Sequence, residues 1–453
     1  MSEIEATVSE TPMRDYQSAL IALQEQLAKD NNDVAALEKI GGIYLKVGQI
    51  DQAIGHFKDC IKRAGSLPKY YLNLGHAYKA QGQFDEAISA YQRVAESPIE
   101  KVAVTGLFSL ANLKRYEFNP AEIRALSALS TSAELGLGHQ CLASFALGTH
   151  QEASGDIEQA YTSFEAANAG IGQIRPFQGQ QYQALIKTMI DFIHTADWTP
   201  SESSFEPIFI VGMPRTGSTL IEQILSAHSK VEATDELMLM SDIAISLEHA
   251  GGYATRLRRL QADKVSELVA RYLRLSEIFR PEQKIQFIDK NPNNFLHIGL
   301  IKRLFPSAKI INVIRDPLDN ALSVYKQFFA EGHEYSYSIP GIIFYWQGYL
   351  TLMKHWDAVF LGQIYHLDYE ALVKTPEPQI RQLLAYCGLA AEPLCFTPHL
   401  SERPVLTPSA AQVRNPISAK SLGSGLQYKQ QVLAHLPQIA AIKHQANAWF
   451  LGA

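Results

Sequence analysis

The sequence predicts a chain in two parts: an α-helical solenoid over residues 13–190, then an α/β domain with a central parallel sheet over residues 205–453, joined by a linker at 191–204. Three observations carry this. Small and aromatic residues recur with a 34-residue period in the first part. Helical periodicity breaks at HTADWTPSESSFEP (His194–Pro207), which is rich in Pro, Ser and Glu. Beyond the break, short apolar runs alternate with longer helical patterns, the rhythm of strands and crossover helices in a parallel sheet.

The repeat is read from Gly41, Tyr44, Gly48, Ala53 and Phe57, which step forward 34 residues onto Gly75, Tyr78, Gly82, Ala87 and Tyr91. Small residues at these offsets let two helices approach, and the aromatics fill the space between them. A third copy fits LGTHQEASGDIEQAYTSFEAAN, where Leu147, Gly148, Gly155, Ala160, Phe164 and Ala167 hold matching offsets and Gln151 replaces the aromatic. Residues 102–140 look helical but off-pattern. The array resembles tetratricopeptide repeats (TPR), whose concave faces bind peptides or protein segments. A TPR array serves equally well for dimerisation.

Composition narrows the function classes. The chain has 453 residues, 47% of them hydrophobic, 19% charged and 10% aromatic, enough for two separate cores. A net charge of -6 argues against nucleic acid as the main partner. No apolar run approaches the roughly 20 residues of a membrane span, and the opening MSEIEATVSE is acidic and polar, so the expectation is a cytoplasmic protein without membrane contact. Cys60, Cys141, Cys387 and Cys395 lack metal-binding or disulfide spacing and are read as buried thiols; no metal is expected.

In the second part, PIFIVG, KIQFID, KIINVI and QIYHLD are the expected strands. The first runs into VGMPRTGSTLIEQIL (Val211–Leu225), where Leu220, Ile221, Ile224 and Leu225 form a helical face. A glycine-bearing loop from a strand into a helix N-terminus is the setting of a phosphate loop: backbone N–H groups of Thr216, Gly217, Ser218 and Thr219 converge on one anion, aided by the helix dipole. The lysine that reaches the β/γ-phosphates in nucleotide triphosphatases is replaced by Ser218, and the only cation in the loop is Arg215. This favours a P-loop-like site for a terminal anionic group, independent of Mg²⁺; an ordinary strand–helix turn is the alternative.

A second anchor follows about 100 residues on. In KIINVIRDPLDNALSVYKQ a strand ends at Ile314, Arg315-Asp316-Pro317 makes the break, and Ser323 lies on the next helix. By itself this reads as an Asp-Pro helix start with a salt-bridged arginine; behind the first loop it reads as a second anion site.

PRTGST followed by IRDPLDNALS resembles the 5′-phosphosulfate loop and 3′-phosphate motif of sulfotransferases that use 3′-phosphoadenosine 5′-phosphosulfate (PAPS). Over roughly residues 205–435 the likeness is greatest to the tyrosylprotein sulfotransferases and to bacterial proteins joining TPR repeats to a sulfotransferase domain. LSAHSKVEATDEL resembles the segment with the tyrosylprotein enzymes' catalytic glutamate, and FIDKNP the one with their lysine; HLDYEALVKTPE and SAAQVRNPI also match the family's layout.

The resemblance implies that Arg215, Thr216, Gly217, Ser218 and Thr219 hold the 5′-phosphosulfate, and that Arg315 and Ser323 hold the 3′-phosphate. It implies a catalytic set of Glu236, Lys290 and Ser323. Glu236 is the general base for an acceptor hydroxyl, with Asp235 as the alternative base, or else Glu236 is only a carboxylate in a helix first turn. Lys290 stabilises charge moving onto the product 3′-phosphoadenosine 5′-phosphate (PAP), or is a surface lysine at a strand end. Ser218 and Ser323 are also placed to contact the sulfonate or leaving group. Arg414 is a further phosphate contact, in a looser match, and Tyr369 contacts nucleotide or packs in the core.

His297, His333 and His366 are read as packed or surface imidazoles. FYWQGYL (Phe344–Leu350) belongs to a mostly core helix with one edge free for an acceptor pocket, and GHEYSYS reads as a mobile loop able to close over substrate. The expected activity is sulfonate transfer from PAPS to a hydroxyl, with a protein or peptide acceptor suggested by the repeats; carbohydrate, phenol or lipid acceptors stay open. The tyrosylprotein enzymes work in the secretory pathway, whereas MSEIEATVSE is no leader, which sets tyrosine itself in question. Two rivals remain: a Mg²⁺–ATP-dependent nucleotide kinase or NTPase, against which the absent lysine speaks, and a TPR scaffold that binds PAP without catalysis.

Overall fold

The computed structural model describes residues 14–192, 200–249, 252–329 and 332–452. Part of the expected linker, residues 193–199, lies outside the described residues. Among the described residues, ten α-helices run from Tyr16–Lys29 to Gly179–Phe192. The 34-residue period corresponds to helix pairs Val34–Lys46 with Ile50–Ala64 and Pro68–Gln81 with Phe84–Ala95; the third copy is Leu137–Ala153 with Ile157–Ile174.

One steric rule explains each pair. A Cβ on Gly41 would lie 2.9 Å from the Phe57 ring, on Gly75 2.4 Å from Tyr91, and on Gly148 2.8 Å from Phe164. The glycine of the first helix is the socket for the aromatic of the second. Gly48, Gly82 and Gly155 close the turns with φ of 77°, 84° and 84°, a left-handed conformation that glycine adopts without penalty. The off-pattern stretch is also helical, as Glu100–Ala111 and Pro120–Thr131, the latter started by Pro120 and an Asn119–Glu122 capping box. There the close contact moves to Gly106, against the backbone of Ala95.

The α/β part holds a five-stranded, wholly parallel sheet: β1 (Ile208–Gly212), β2 (Val231–Ala233), β3 (Gln286–Lys290), β4 (Lys309–Ile314) and β5 (Ile364–Asp368), in the order β2-β3-β1-β4-β5. β2 is three residues long, too short for an apolar run to reveal it in the sequence. Every residue of β1 is buried because both faces are covered. Ile208 and Ile210 face the layer that includes helices Ser218–Ser226 and Pro376–Tyr386. Phe209 and Val211 face a larger core that runs on into the repeat region through Phe145, Phe164, Tyr182 and Met189.

The two parts therefore share apolar core. Tyr182 stacks on Tyr345 with ring centroids 4.5 Å apart and donates its hydroxyl to the Tyr345 carbonyl at 3.0 Å. Gly348 is the complementary gap, since a Cβ there would lie 2.4 Å from the Tyr182 ring. Asn168 donates to the Tyr325 carbonyl at 2.9 Å, and the Val405 amide to the Ala80 carbonyl at 2.8 Å.

GHEYSYS differs from expectation. Glu334–Tyr337 is a 3-10 turn with Tyr335, Ser336 and Tyr337 buried, and Tyr335 stacks on Tyr345 at 3.6 Å; it is a packed wall. FYWQGYL lies in helix Ile339–Val359 and is mostly core, while Phe344, Gln347 and Gly348 line a separate groove facing helix Gly179–Phe192. The four cysteines are free and buried. Among the described residues, no helix is long and apolar enough to cross a membrane.

Candidate active site

β1 is central, and its neighbours β3 and β4 lie on opposite sides, so the crossovers diverge at its carboxyl end. In parallel sheets that is where ligands bind. Each strand delivers a side chain there: Arg215 after β1, Glu236 after β2, Lys290 at the end of β3, Arg315 after β4 and Tyr369 after β5.

The loop after β1 is shaped by close approach. Gly212 (φ 141°) passes so near β4 that a Cβ would sit 2.6 Å from the Val313 carbonyl oxygen. Gly217 (φ 99°) packs against Tyr369, whose ring would be 2.4 Å from an added Cβ. Arg215 takes φ 67°, a conformation a side-chain-bearing residue holds only when its surroundings fix it. Helix Ser218–Ser226 starts from Gly217 with no side-chain cap, so its first N–H groups face the loop's concavity. The Thr216 hydroxyl donates to the Met213 carbonyl at 2.8 Å, within the loop, which leaves its backbone N–H as the group facing the concavity.

Two cavities meet at this loop, sharing Arg215, Gly217, Thr219 and Ser409. The larger, about 350 Å³, is lined by five cations, Lys114, Arg215, Arg315, Lys326 and Lys420, and by Ser323 and Tyr369, with no carboxylate among the described lining residues. Arg215 donates to Ser323 Oγ at 3.2 Å and Ser409 Oγ at 2.7 Å; Arg315 donates to the Arg215 carbonyl at 3.0 Å and lies 5.2 Å from the Tyr369 ring centroid. Burial and the adjacent Arg315 bring the Arg215 guanidinium down to about 10. Arg315 Nε is buried without a hydrogen-bond partner. Crowded, desolvated cations with an unused donor are the electrostatic signature of an anion site.

The smaller cavity, about 90 Å³, is lined by Ser218, Glu236, Asn291, His333 and Thr407, among others. Lys290 Nζ donates to Glu236 Oε1 at 2.6 Å; the lysine side chain is 0% exposed and the glutamate 48%. Burial by itself would lower the Lys290 pKa, but Glu236, Glu222 and Asp235 outweigh it and hold the ammonium raised, so it stays charged. Glu236 sits in the irregular segment between β2 and helix Leu239–His249, not in a helix first turn. It is pinned on both sides. The Asp235 amide donates to Glu222 Oε1 at 3.0 Å, and Asn291 Nδ2 donates to the Leu237 carbonyl at 3.0 Å.

Asp235 itself is tied back. Its carboxylate pairs with Arg403 at 2.9 Å, and Arg403 also lies 3.2 Å from the buried Glu222. Burial raises Glu222 to about 7 against the opposing pull of Arg403, while Asp235 and Glu222 hold the Arg403 guanidinium raised.

Ser323 lies in the larger cavity beside the two arginines, and Ser218 in the smaller one. Thr219 lines both, its hydroxyl 3.2 Å from that of Thr407. Arg414 is turned away: its guanidinium donates to the Ser401 carbonyl and, at 2.7 Å, to the Arg403 carbonyl, stapling that bend beside Gly82 of the repeat region. The segment SAAQVRNPI does reach the site, but through Ser409 and Gln412, which bond Arg215. His297 and His366 are packed, bonded to Tyr253 and to Asn312 and Asp357, whereas His333 lines the small cavity.

Sequence reasoning missed Glu222, Arg403, Ser409, Gln412, His333 and Lys114. Glu222 had a readable signal, since it adjoins the apolar face of helix Ser218–Ser226. Ser409 and Gln412 lie in SAAQVRNPI and His333 in GHEYSYS, segments noted for other reasons, whereas Arg403 and Lys114 reach the site through tertiary folding with no local pattern.

Residues 207–393 match the sulfotransferase family, and residues 68–96 match the tetratricopeptide repeat. An uncharacterized protein of Aquifex aeolicus is 28% identical over 79% of this chain and 48% of its own length. Protein-tyrosine sulfotransferase A of Caenorhabditis elegans is 23% identical over 40% of this chain and 50% of its own. An omega-hydroxy-beta-dihydromenaquinone-9 sulfotransferase of Mycobacterium bovis is 27% identical over 28% of this chain and 36% of its own. The chain thus spans half or less of the length of these relatives. Residues 207–393 are a sulfotransferase-family domain, carried on the same chain as a tetratricopeptide repeat.

Proposed function

We propose that the chain transfers a sulfonate group from PAPS to an acceptor hydroxyl. The observation that carries this is the pairing of two adjoining cavities: one cationic and free of carboxylates, the other holding Glu236 on Lys290 at 2.6 Å. PAPS, when bound, supplies the sulfonate and leaves as PAP. Arg215, Ser218, Thr219 and the loop amides hold its anionic 5′ end, and Arg315 with Ser323 holds the 3′-phosphate. Tyr369 forms the wall beneath the loop.

In the smaller cavity Glu236 accepts the proton of the acceptor hydroxyl. Lys290, already paired with Glu236, keeps its charge as the carboxylate is neutralised and offers its ammonium to the oxygen that gains charge. Asp235 does not take the base role, because Arg403 already holds its carboxylate. The position of Ser323 beside Arg315 suits a phosphate ligand better than a group at the transferred sulfonate. A kinase reading would require a lysine at the position of Ser218, and the loop has none.

Replacing Arg315 by Ala tests the donor assignment. A hydrogen bond to a charged group contributes about 1.5–3 kcal/mol, so PAP affinity falls by about 10- to 100-fold. Affinity for 5′-AMP, which lacks the 3′-phosphate, stays as it was. Equal losses on both nucleotides, measured by calorimetry, would refute the 3′-site.

The acceptor is proposed to be a protein or peptide hydroxyl, on the strength of the repeat and the tyrosine-sulfotransferase relative. PAP release measured with a tyrosine peptide should then exceed release with a simple phenol or sugar at equal concentration, and the reverse order would remove the peptide reading. The menaquinone relative makes a lipid alcohol the comparison to include.

A further inference from the structure

The donor cavity is not built by the α/β domain alone. Lys114 lines it, and Lys114 belongs to the helical part: it ends the turn that follows helix Glu100–Ala111, its amide donating to the Ala111 carbonyl at 3.0 Å. Its φ of 54° is left-handed, sparsely populated for a lysine, and the fully buried Leu113 beside it anchors the turn. A surface turn with no task for its side chain would more ordinarily carry Gly or Asn at such a position.

Lys326, another lysine of the cavity wall, is engaged: it pairs with Glu152 of helix Leu137–Ala153 and lies 4.9 Å from the Tyr428 ring centroid. Lys114 has no ion-pair partner among the described residues. We propose that Lys114 is a ligand of the donor's 3′-phosphate, so that the helical-repeat part and the α/β domain build the nucleotide site jointly. The inference rests on the PAPS reading above.

The charges facing Lys114 agree with this. The Lys114 side chain is exposed, and Arg215 from the loop, Lys326 from the end of helix Pro317–Tyr325 and Lys79 from helix Pro68–Gln81 surround it with positive charge, with Glu152 the carboxylate opposing them. A phosphate dianion placed among these groups would offset their mutual repulsion.

The test uses the full-length chain and calorimetric binding of PAP and 5′-AMP to wild type, Lys114→Gly and Lys114→Asn. Gly and Asn both suit the backbone, so either variant keeps the fold while removing the charge. PAP affinity is expected to fall about tenfold, the effect of one charged contact, with 5′-AMP affinity unchanged. Lys114→Arg should retain most of the PAP affinity.

Wild-type affinity for PAP in both neutral variants would overturn the proposal, as would equal losses for PAP and 5′-AMP. Failure of wild type itself to bind PAP would instead overturn the donor assignment on which the proposal stands.

Discussion

Glu236→Gln should lower turnover by about 10²- to 10⁴-fold, the usual contribution of a positioned general base, while PAP binds as tightly as before. The amide that replaces the carboxylate keeps its shape and a hydrogen-bond acceptor for Lys290 but cannot take a proton. Lys290 loses the largest of the influences that raise its pKa, yet Glu222 and Asp235 still favour its charged form, so the buried ammonium is not left unpaired. Steady-state kinetics with PAPS and any accepted hydroxyl, together with PAP calorimetry on the same protein, separates the two effects. Unchanged turnover would remove Glu236 from the base role; lost PAP affinity would mean that it holds the donor-binding loop instead.

The second large effect concerns stability. Arg403→Met leaves the fully buried Glu222 and the tethered Asp235 without their shared cation. Breaking a buried pair from one side costs about 3–5 kcal/mol; a value near 3 is expected because a fifth of the Arg403 side chain remains exposed. The cost depends on pH. Glu222 has a folded pKa of about 7, above the ordinary carboxylate value near 4.5, so the folded state binds the extra proton between those values and stability falls as pH rises through them. Removing Arg403 takes away a lowering influence and raises Glu222 further. Denaturant unfolding of wild type and variant should therefore show a larger difference at pH 8 than at pH 5. A difference independent of pH would assign the loss to packing alone.

What could be read in advance follows the range over which each physical rule acts. The helical repeat was legible because its contacts are local: a glycine and the aromatic 16 residues later on the adjoining helix meet in one unit, three times over. The two candidate anion loops were legible as a pair because strand, turn, arginine and helix start are contiguous in sequence, and the sheet needed only to bring β1 and β4 side by side. Glu236 and Lys290 were found through resemblance, and the geometry places them in contact. Arg403 and Lys114 were not legible. Each reaches the site from a distant turn, and a lone cation in a loop sequence does not say what it faces. Arg414 shows the converse: it has the residue type and segment of a phosphate ligand, but carbonyls of the 401–403 bend satisfy it first. GHEYSYS looked mobile from its Gly, Ser and charge content, whereas its tyrosines stack into the core.

Binding of PAP and of ATP to the wild-type chain, each measured by calorimetry with magnesium and again with EDTA, bears most directly on the donor. Tight PAP binding that ignores EDTA, with weak ATP binding, is the predicted result: a cavity with two arginines for two separated phosphates, and no loop lysine for a triphosphate. Magnesium-dependent ATP binding with no preference for PAP would contradict it, and the loop at Arg215–Thr219 would then belong to a nucleotide kinase or NTPase.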